Sequence, residues 1–294
     1  MTKFPLTRRR MMTGLVAAPL LVRNASAAPA RRIVCLDDGL AETMLGIGAV
    51  PVAVTDRDAW EKWVVEPKLP DQVVDLGLAL EPNLELMQQL RPDLILSIPY
   101  LAGIRSQLER VAPVTSIGIY VEGGSPYELA TEAARQLGRI CGREQEAEAL
   151  IAATDAELAA LKPRLARFAD RPLYLVRFND PRNVWVFGQT SMFQCVLDRI
   201  GLRNAWTRPT NEWGFSAVGI DSLGEAGNAR LAYVEPLPRG ATGTLTESPV
   251  WNAMPFVRNR AILRVPVVQQ FGALPSALRL ARLLTAALEA EAAK

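Results

Sequence analysis

Residues 142–168, GREQEAEALIAATDAELAALKPRLARF, are the stretch on which the fold turns. Leu150, Ile151, Thr154, Leu158, Leu161 and Leu165 recur at three- and four-residue spacing, with acidic and small residues between them. That period lays one apolar stripe along a long helix. Pro163 lacks a backbone N–H, which predicts a kink or an end at that point. On either side the pattern changes to short apolar runs of strand length that alternate with shorter helical stretches.

Before the long helix, residues 33–36, 52–55, 73–76, 94–98 and 114–119 read as strands. Residues 40–45, a short stretch after Pro82 and residues 127–140 read as helices, stopped by Gly46, Gly48 and Gly142. After it, residues 173–178 and 184–187 read as strands joined by the turn Asn179-Asp180-Pro181-Arg182. A helix over 192–200, strands over 231–234 and 262–265, and a final helix over 277–292 follow. The expectation is an α/β protein of two lobes joined by a single long helix. Its lobes cover residues 28–141 and 169–294, its connecting helix 142–168, and its cleft lies between the lobes. A single rigid crossing predicts limited hinge closure.

Residues 1–27 are set apart as an export signal. Lys3, Arg8, Arg9 and Arg10 precede a short apolar stretch, and Ala25-Ser26-Ala27 offers a cleavage site. The run TRRRMM resembles a twin-arginine address, which predicts a periplasmic location. The apolar stretch is too short for a membrane span of ~20 residues. Of the 33 basic residues five lie in this segment, so the remainder carries 28 basic against 31 acidic side chains. No basic excess points to nucleic acid.

Composition also removes chemistry. The 294 residues include no histidine, so no Ser-His-Asp triad, Cys-His dyad or His-ligated metal can form. Neither a GxSxG elbow nor a phosphate-binding glycine loop is present. Cys35, Cys141 and Cys195 are odd in number and widely spaced, which favours thiols over a bridge. Asp37-Asp38 follows the first strand and reads as a helix N-cap with its neighbour rather than an acid/base pair. These features favour a binding protein over an enzyme.

What remains for a site is aromatic residues near loops. Trp63 follows a strand, Tyr100 ends LILSIPY, Trp213 lies in NEWGF, and Phe271 follows Gln269-Gln270. In open α/β sheets ligands bind beyond the carboxyl ends of strands, where Tyr100, Arg177 and Phe271 are expected. Trp185, Trp206 and Trp251 are expected to fill the core.

Several strings together carry a resemblance. They are WVVEPKLPD (63–71), GLALEPNLEL (77–86), NDPRNVWVFG (179–188), NAW (204–206), EWGFSAVGID (212–221), VWNAMPFVR (250–258) and FGALPSAL (271–278). The chain resembles the periplasmic ferric-hydroxamate-binding proteins of bacterial siderophore uptake over nearly all of its length after residue 31. The resemblance implies the class III periplasmic binding protein fold, in which one long helix bridges two lobes. It implies a monomer, outside the membrane, that hands a ferric siderophore to an inner-membrane ABC permease. It implies no cofactor, because iron arrives inside the siderophore.

The site residues it implies are Trp63, Tyr100, Trp213, Phe271 and Gln269 in the cleft. Tyr100 lies at or beside the family tyrosine that bonds the chelating oxygens. Phe271 lacks a phenol hydroxyl, and Gln269 stands where the family has tryptophan. Ala79 replaces a family arginine that donates to those oxygens, and Arg177 is expected to compensate from the opposite lobe, unless it only pairs with Asp180. Glu85 and Asp221 match the carboxylates that relatives present to permease arginines. Ala79 leaves open a receptor for cobalamin or another ferric chelate. A periplasmic siderophore-modifying enzyme is the alternative of a different class.

Overall fold

A computed structural model describes residues 1–2 and 31–293. The export-signal reading lies outside the described residues apart from the first two. Residues 31–294 form one compact unit. No helix among the described residues is long and apolar enough to cross a membrane.

Two five-stranded sheets organise the chain. The first has strands β1 (Ile33–Cys35), β2 (Ala53–Val54), β3 (Val74–Asp75), β4 (Leu94–Ser97) and β5 (Val114–Ser116), in the order β3-β2-β1-β4-β5. Every pairing in it is parallel. Strands β1 and β4 are buried on both faces, which is why IVC and LILS read as unbroken apolar runs. The strand order reverses between β1 and β4, and the loops leaving their carboxyl ends diverge to open a crevice there.

The second sheet has strands β6 (Leu173–Phe178), β7 (Asn183–Phe187), β8 (Phe215–Gly219), β9 (Arg230–Val234) and β10 (Ile262–Val265), in the order β10-β9-β6-β7-β8. Strands β6, β9 and β10 run parallel, whereas β7 and β8 add antiparallel at one side. Strand β8 was not expected from sequence, because Trp213 and Gly214 mark the segment as loop.

The helices in chain order are α1 (Asp38–Gly46), α2 (Arg57–Ala59), α3 (Leu84–Gln89), α4 (Arg105–Leu108), α5 (Pro126–Cys141), α6 (Glu144–Leu165), α7 (Met192–Ile200), α8 (Ala241–Glu247), α9 (Pro249–Ala253), α10 (Pro255–Arg258) and α11 (Leu274–Ala292). Helix α5 ends at Gly142, whose φ of +65 suits glycine and reverses the chain into α6. Helix α6 is the predicted connector. It buries Ala147, Ile151, Thr154, Leu158, Leu161 and Leu165 along one stripe. Pro163 lies two residues before the end of the helix, close to the expected stop. The helix runs to Leu165 and then tightens into a 3-10 turn, Ala166–Phe168, since a proline so near the C-terminus removes only one backbone bond.

Helix α11 begins three residues earlier than the sequence predicts and packs on α1, α5, α6 and α7. The two halves therefore meet along more than the connector. One continuous core runs from β1 and α1 through α5, α6 and α7 to α11. All three cysteines are free, and Cys35 and Cys195 are buried.

Candidate functional site

The crevice is built from loop residues that follow strand ends. Asp37 comes directly after β1 and caps α1, its Oδ1 accepting from the Leu40 N–H at 2.9 Å. The N-cap expectation holds for Asp37, while Asp38 accepts from Gln269 Nε2 at 2.8 Å. Tyr100 sits in the 3-10 turn Pro99–Ile104 after β4, with its side chain largely in solvent. Tyr120 follows β5, and its hydroxyl donates to the Gly272 carbonyl at 2.7 Å. Burial pushes the Tyr120 phenol well above the usual range, so it stays a donor.

From the second half, Trp213 is held at the head of β8. The Asn211 side chain accepts from the backbone N–H groups of Trp213 and Phe215, both at 3.1 Å. Gly214 has φ +84, and a Cβ on it would collide with the Ser191 backbone, so only glycine fits. Phe271 follows β10 and stands edge-on to Trp213 at 5.2 Å.

These rings form one connected row. Tyr100 meets Trp213 edge-on at 5.6 Å, and Tyr120 stacks on Trp213 at 6.0 Å. Tyr120 meets Phe271 at 5.8 Å, and Phe271 meets Trp185 at 6.2 Å. Trp185 in turn stacks on Phe215 at 4.3 Å. Each such pair contributes about 0.5–1.5 kcal/mol beyond area burial, which keeps the row rigid before any ligand arrives. A cavity of about 300 Å³ opens beside it, lined by Tyr100, Tyr120, Trp213, Asp37, Glu122 and Glu212, together with other residues of the loops after β4 and β5. That volume is at the lower end for a small-molecule site.

Arg177 extends the row. It sits in β6 opposite Trp185, its guanidinium carbon 4.0 Å from the Trp63 ring centroid and 5.8 Å from that of Trp185. Its Nη1 donates to Gln270 Oε1 at 2.6 Å. Burial lowers its pKa from the ordinary value, yet an arginine remains charged. Asp180 is not its partner. That carboxylate accepts from Arg182 N and Asn183 instead, and no carboxylate among the described residues is ion-paired with Arg177. Trp63 lies in the π turn Trp60–Val64, with Lys62 Nζ 4.5 Å from its ring.

The structure thus brings Tyr100, Trp213 and Phe271 together, and Trp63 with Arg177. Gln269 is turned toward Asp38 and its Oε1 faces the Phe271 N–H at 3.4 Å, so it braces the loop. Glu85 and Asp221 are exposed in the first turns of short helical segments, one after each sheet's edge. Ala79 is half-buried against a separate apolar cluster of the first sheet that includes Leu76 and Met87.

Two site residues escaped the sequence. Tyr120 lies just past the strand expected over 114–119 and is not among the expected site residues, although its place beyond that strand's carboxyl end is the available signal. Trp185 was assigned to the core with Trp206 and Trp251. The latter two are buried, but Trp185 is half-buried and belongs to the ring row. Its register opposite Arg177, between the fully buried Val184 and Val186, turns it to the other face of the sheet. Among the described residues no group of three or more Cys, Asp or Glu could hold a metal ion.

Comparison with known proteins follows the same lines. The model of a family described as periplasmic binding protein matches residues 33–267. The iron(3+)-hydroxamate-binding protein FhuD of Escherichia coli is 35% identical over 297 residues, covering 99% of this chain and all of that one. The crystal structure of the siderophore-binding protein FhuD of Vibrio cholerae, with Fe3+–Desferal bound, superposes with a TM-score of 0.83. It is 29% identical and covers 88% of this chain and 98% of that one. A petrobactin-binding protein of Bacillus subtilis shares the fold at 18% identity, with a TM-score of 0.73, over 88% of this chain and 92% of that one.

Proposed function

Because this chain belongs to the periplasmic binding protein family, we propose that it captures ferric siderophores of the hydroxamate type in the periplasm and delivers them to an inner-membrane ABC permease. It is a transport receptor and not an enzyme.

The observation that carries this reading is the row of rings on the 300 Å³ cavity. A siderophore saturates iron with its own oxygens, so its carrier needs no metal ligand and the chain needs no cofactor. The carrier must instead grip an organic shell, for which ring faces supply area at little entropic cost. Tyr100, Tyr120 and Trp213 form that wall, and Phe271, Trp185 and Trp63 continue the row beyond it.

Ala79 offers no side-chain donor to the chelating oxygens. Arg177 supplies one from the opposite half, pre-oriented by Gln270 and Trp63. Glu85 and Asp221, exposed on the two halves, are the carboxylates that meet the permease.

Titration of tryptophan emission against a ferric trihydroxamate, a ferric catecholate and cobalamin tests the reading. Saturable quenching at one equivalent by the hydroxamate is expected. Arg177→Ala should weaken that binding about tenfold, the scale of one hydrogen bond from a charged donor. A response to cobalamin or catecholate alone would replace the hydroxamate assignment.

A further inference from the structure

Charge is distributed unevenly along the ring row. The cavity beside Tyr100, Tyr120 and Trp213 is lined by three carboxyl groups, Asp37, Glu122 and Glu212, and by no lysine or arginine. Glu122 and Glu212 are exposed. Neither is ion-paired with a cation among the described residues. They come from different halves of the molecule. Glu122 is two residues after Tyr120 and Glu212 immediately precedes Trp213, so the stacking of Tyr120 on Trp213 at 6.0 Å brings their loops together. The cations lie at the other end of the row, where Arg177 and Lys62 both contact Trp63, at 4.0 and 4.5 Å.

Such polarity has a consequence for any cargo that fills the row. A tri-anionic chelate, such as a ferric tris-catecholate, would bring its charge against three carboxyl groups in a half-enclosed space where water screens poorly. A ferric trihydroxamate is neutral at its metal centre, because three hydroxamates balance the 3+ ion. Any pendant group then decides its net charge. We propose that this cleft selects ferric trihydroxamates that carry a protonated amine, with the chelating oxygens toward Arg177 and the ammonium between Glu122 and Glu212. The inference rests on the hydroxamate reading above and adds to it the charge class and orientation of the ligand.

The probe pair is ferric Desferal, which has a pendant ammonium, and its N-acetylated form, which keeps the same iron centre and loses the charge. The wild-type protein is expected to bind the ammonium form about tenfold more tightly at low salt, the sum of two partly screened ion pairs. That ratio should shrink as salt is added, and it should fall toward one in the double variant Glu122→Gln, Glu212→Gln. Equal affinities in the wild type, or a ratio unchanged in the double variant, would overturn charge selection while leaving the hydroxamate reading in place. Failure of both chelates to bind would overturn the hydroxamate reading itself.

Discussion

Glu42 is fully buried where α1 meets the start of α11. Its carboxyl accepts from the Ala273 N–H at 2.5 Å, the Ser276 N–H at 3.2 Å and the Ser276 hydroxyl at 2.6 Å. A helix N-terminus favours an anion, but burial dominates, and these hydrogen bonds only partly offset a rise to about 8. Burial likewise raises Asp38 to about 7 and Asp37 to about 6. The folded protein therefore holds the Glu42 proton up to pH about 8, whereas the unfolded chain releases it near 4.5. Between those values the folded state binds more protons, so this contribution to stability is present at low pH and is lost as pH rises through the window. Its size is on the order of a few kcal/mol. Thermal unfolding followed by circular dichroism should show a midpoint that falls from pH 5 to pH 8, and a shallower fall in Glu42→Gln. Identical slopes for the two proteins would contradict the assignment. None of this was legible in LAETML, where Glu42 reads as one more polar position on a helix. Its burial depends on a helix more than 230 residues later, and residue pattern does not carry that distance. Trp63, Tyr100, Trp213 and Phe271 were legible because bulky rings in turn-rich segments have no local packing reason to be there.

At the scale of elements, periodicity found what is regular. The stripe of α6 and the buried runs of β1 and β4 were evident, since their burial follows one repeat throughout. Strand β8 was missed because its residues are half-exposed, and the glycine that positions Trp213 looks like a breaker. Two short elements carry the carboxylates proposed for docking. Helix α3 presents Glu85 in its first turn, and the 3-10 segment Ile220–Gly224 presents Asp221 in the same position. Both side chains are exposed and unpaired among the described residues, as a docking charge must be. Glu85→Lys or Asp221→Lys should reduce cellular uptake of iron from a ferric hydroxamate several-fold while the titrated affinity for the chelate stays as it was. Loss of affinity in vitro, or undiminished uptake, would remove these carboxylates from the docking surface.

At the scale of the molecule, the two halves are held by more than the connector. Helix α11 returns across the junction, where its Arg282 pairs with Glu157 of α6 and its Glu289 with Arg164 of α6. Arg279 reaches Glu66 in the first half at 2.6 Å. Exposed ion pairs contribute little each, but the shared core beneath them makes large hinge closure costly. The cleft is therefore close to its working shape before ligand arrives. Its walls are rings and a few donors, and the central claim is that the iron reaches it already saturated. The visible charge-transfer band of a ferric trihydroxamate, recorded free and then with one equivalent of protein under conditions where quenching of tryptophan emission is saturated, tests that claim. An unshifted band with saturated quenching is predicted, because the protein adds no bond to the metal. A band that moves on binding would mean that a protein group has entered the coordination sphere, and the account of the cleft would be wrong.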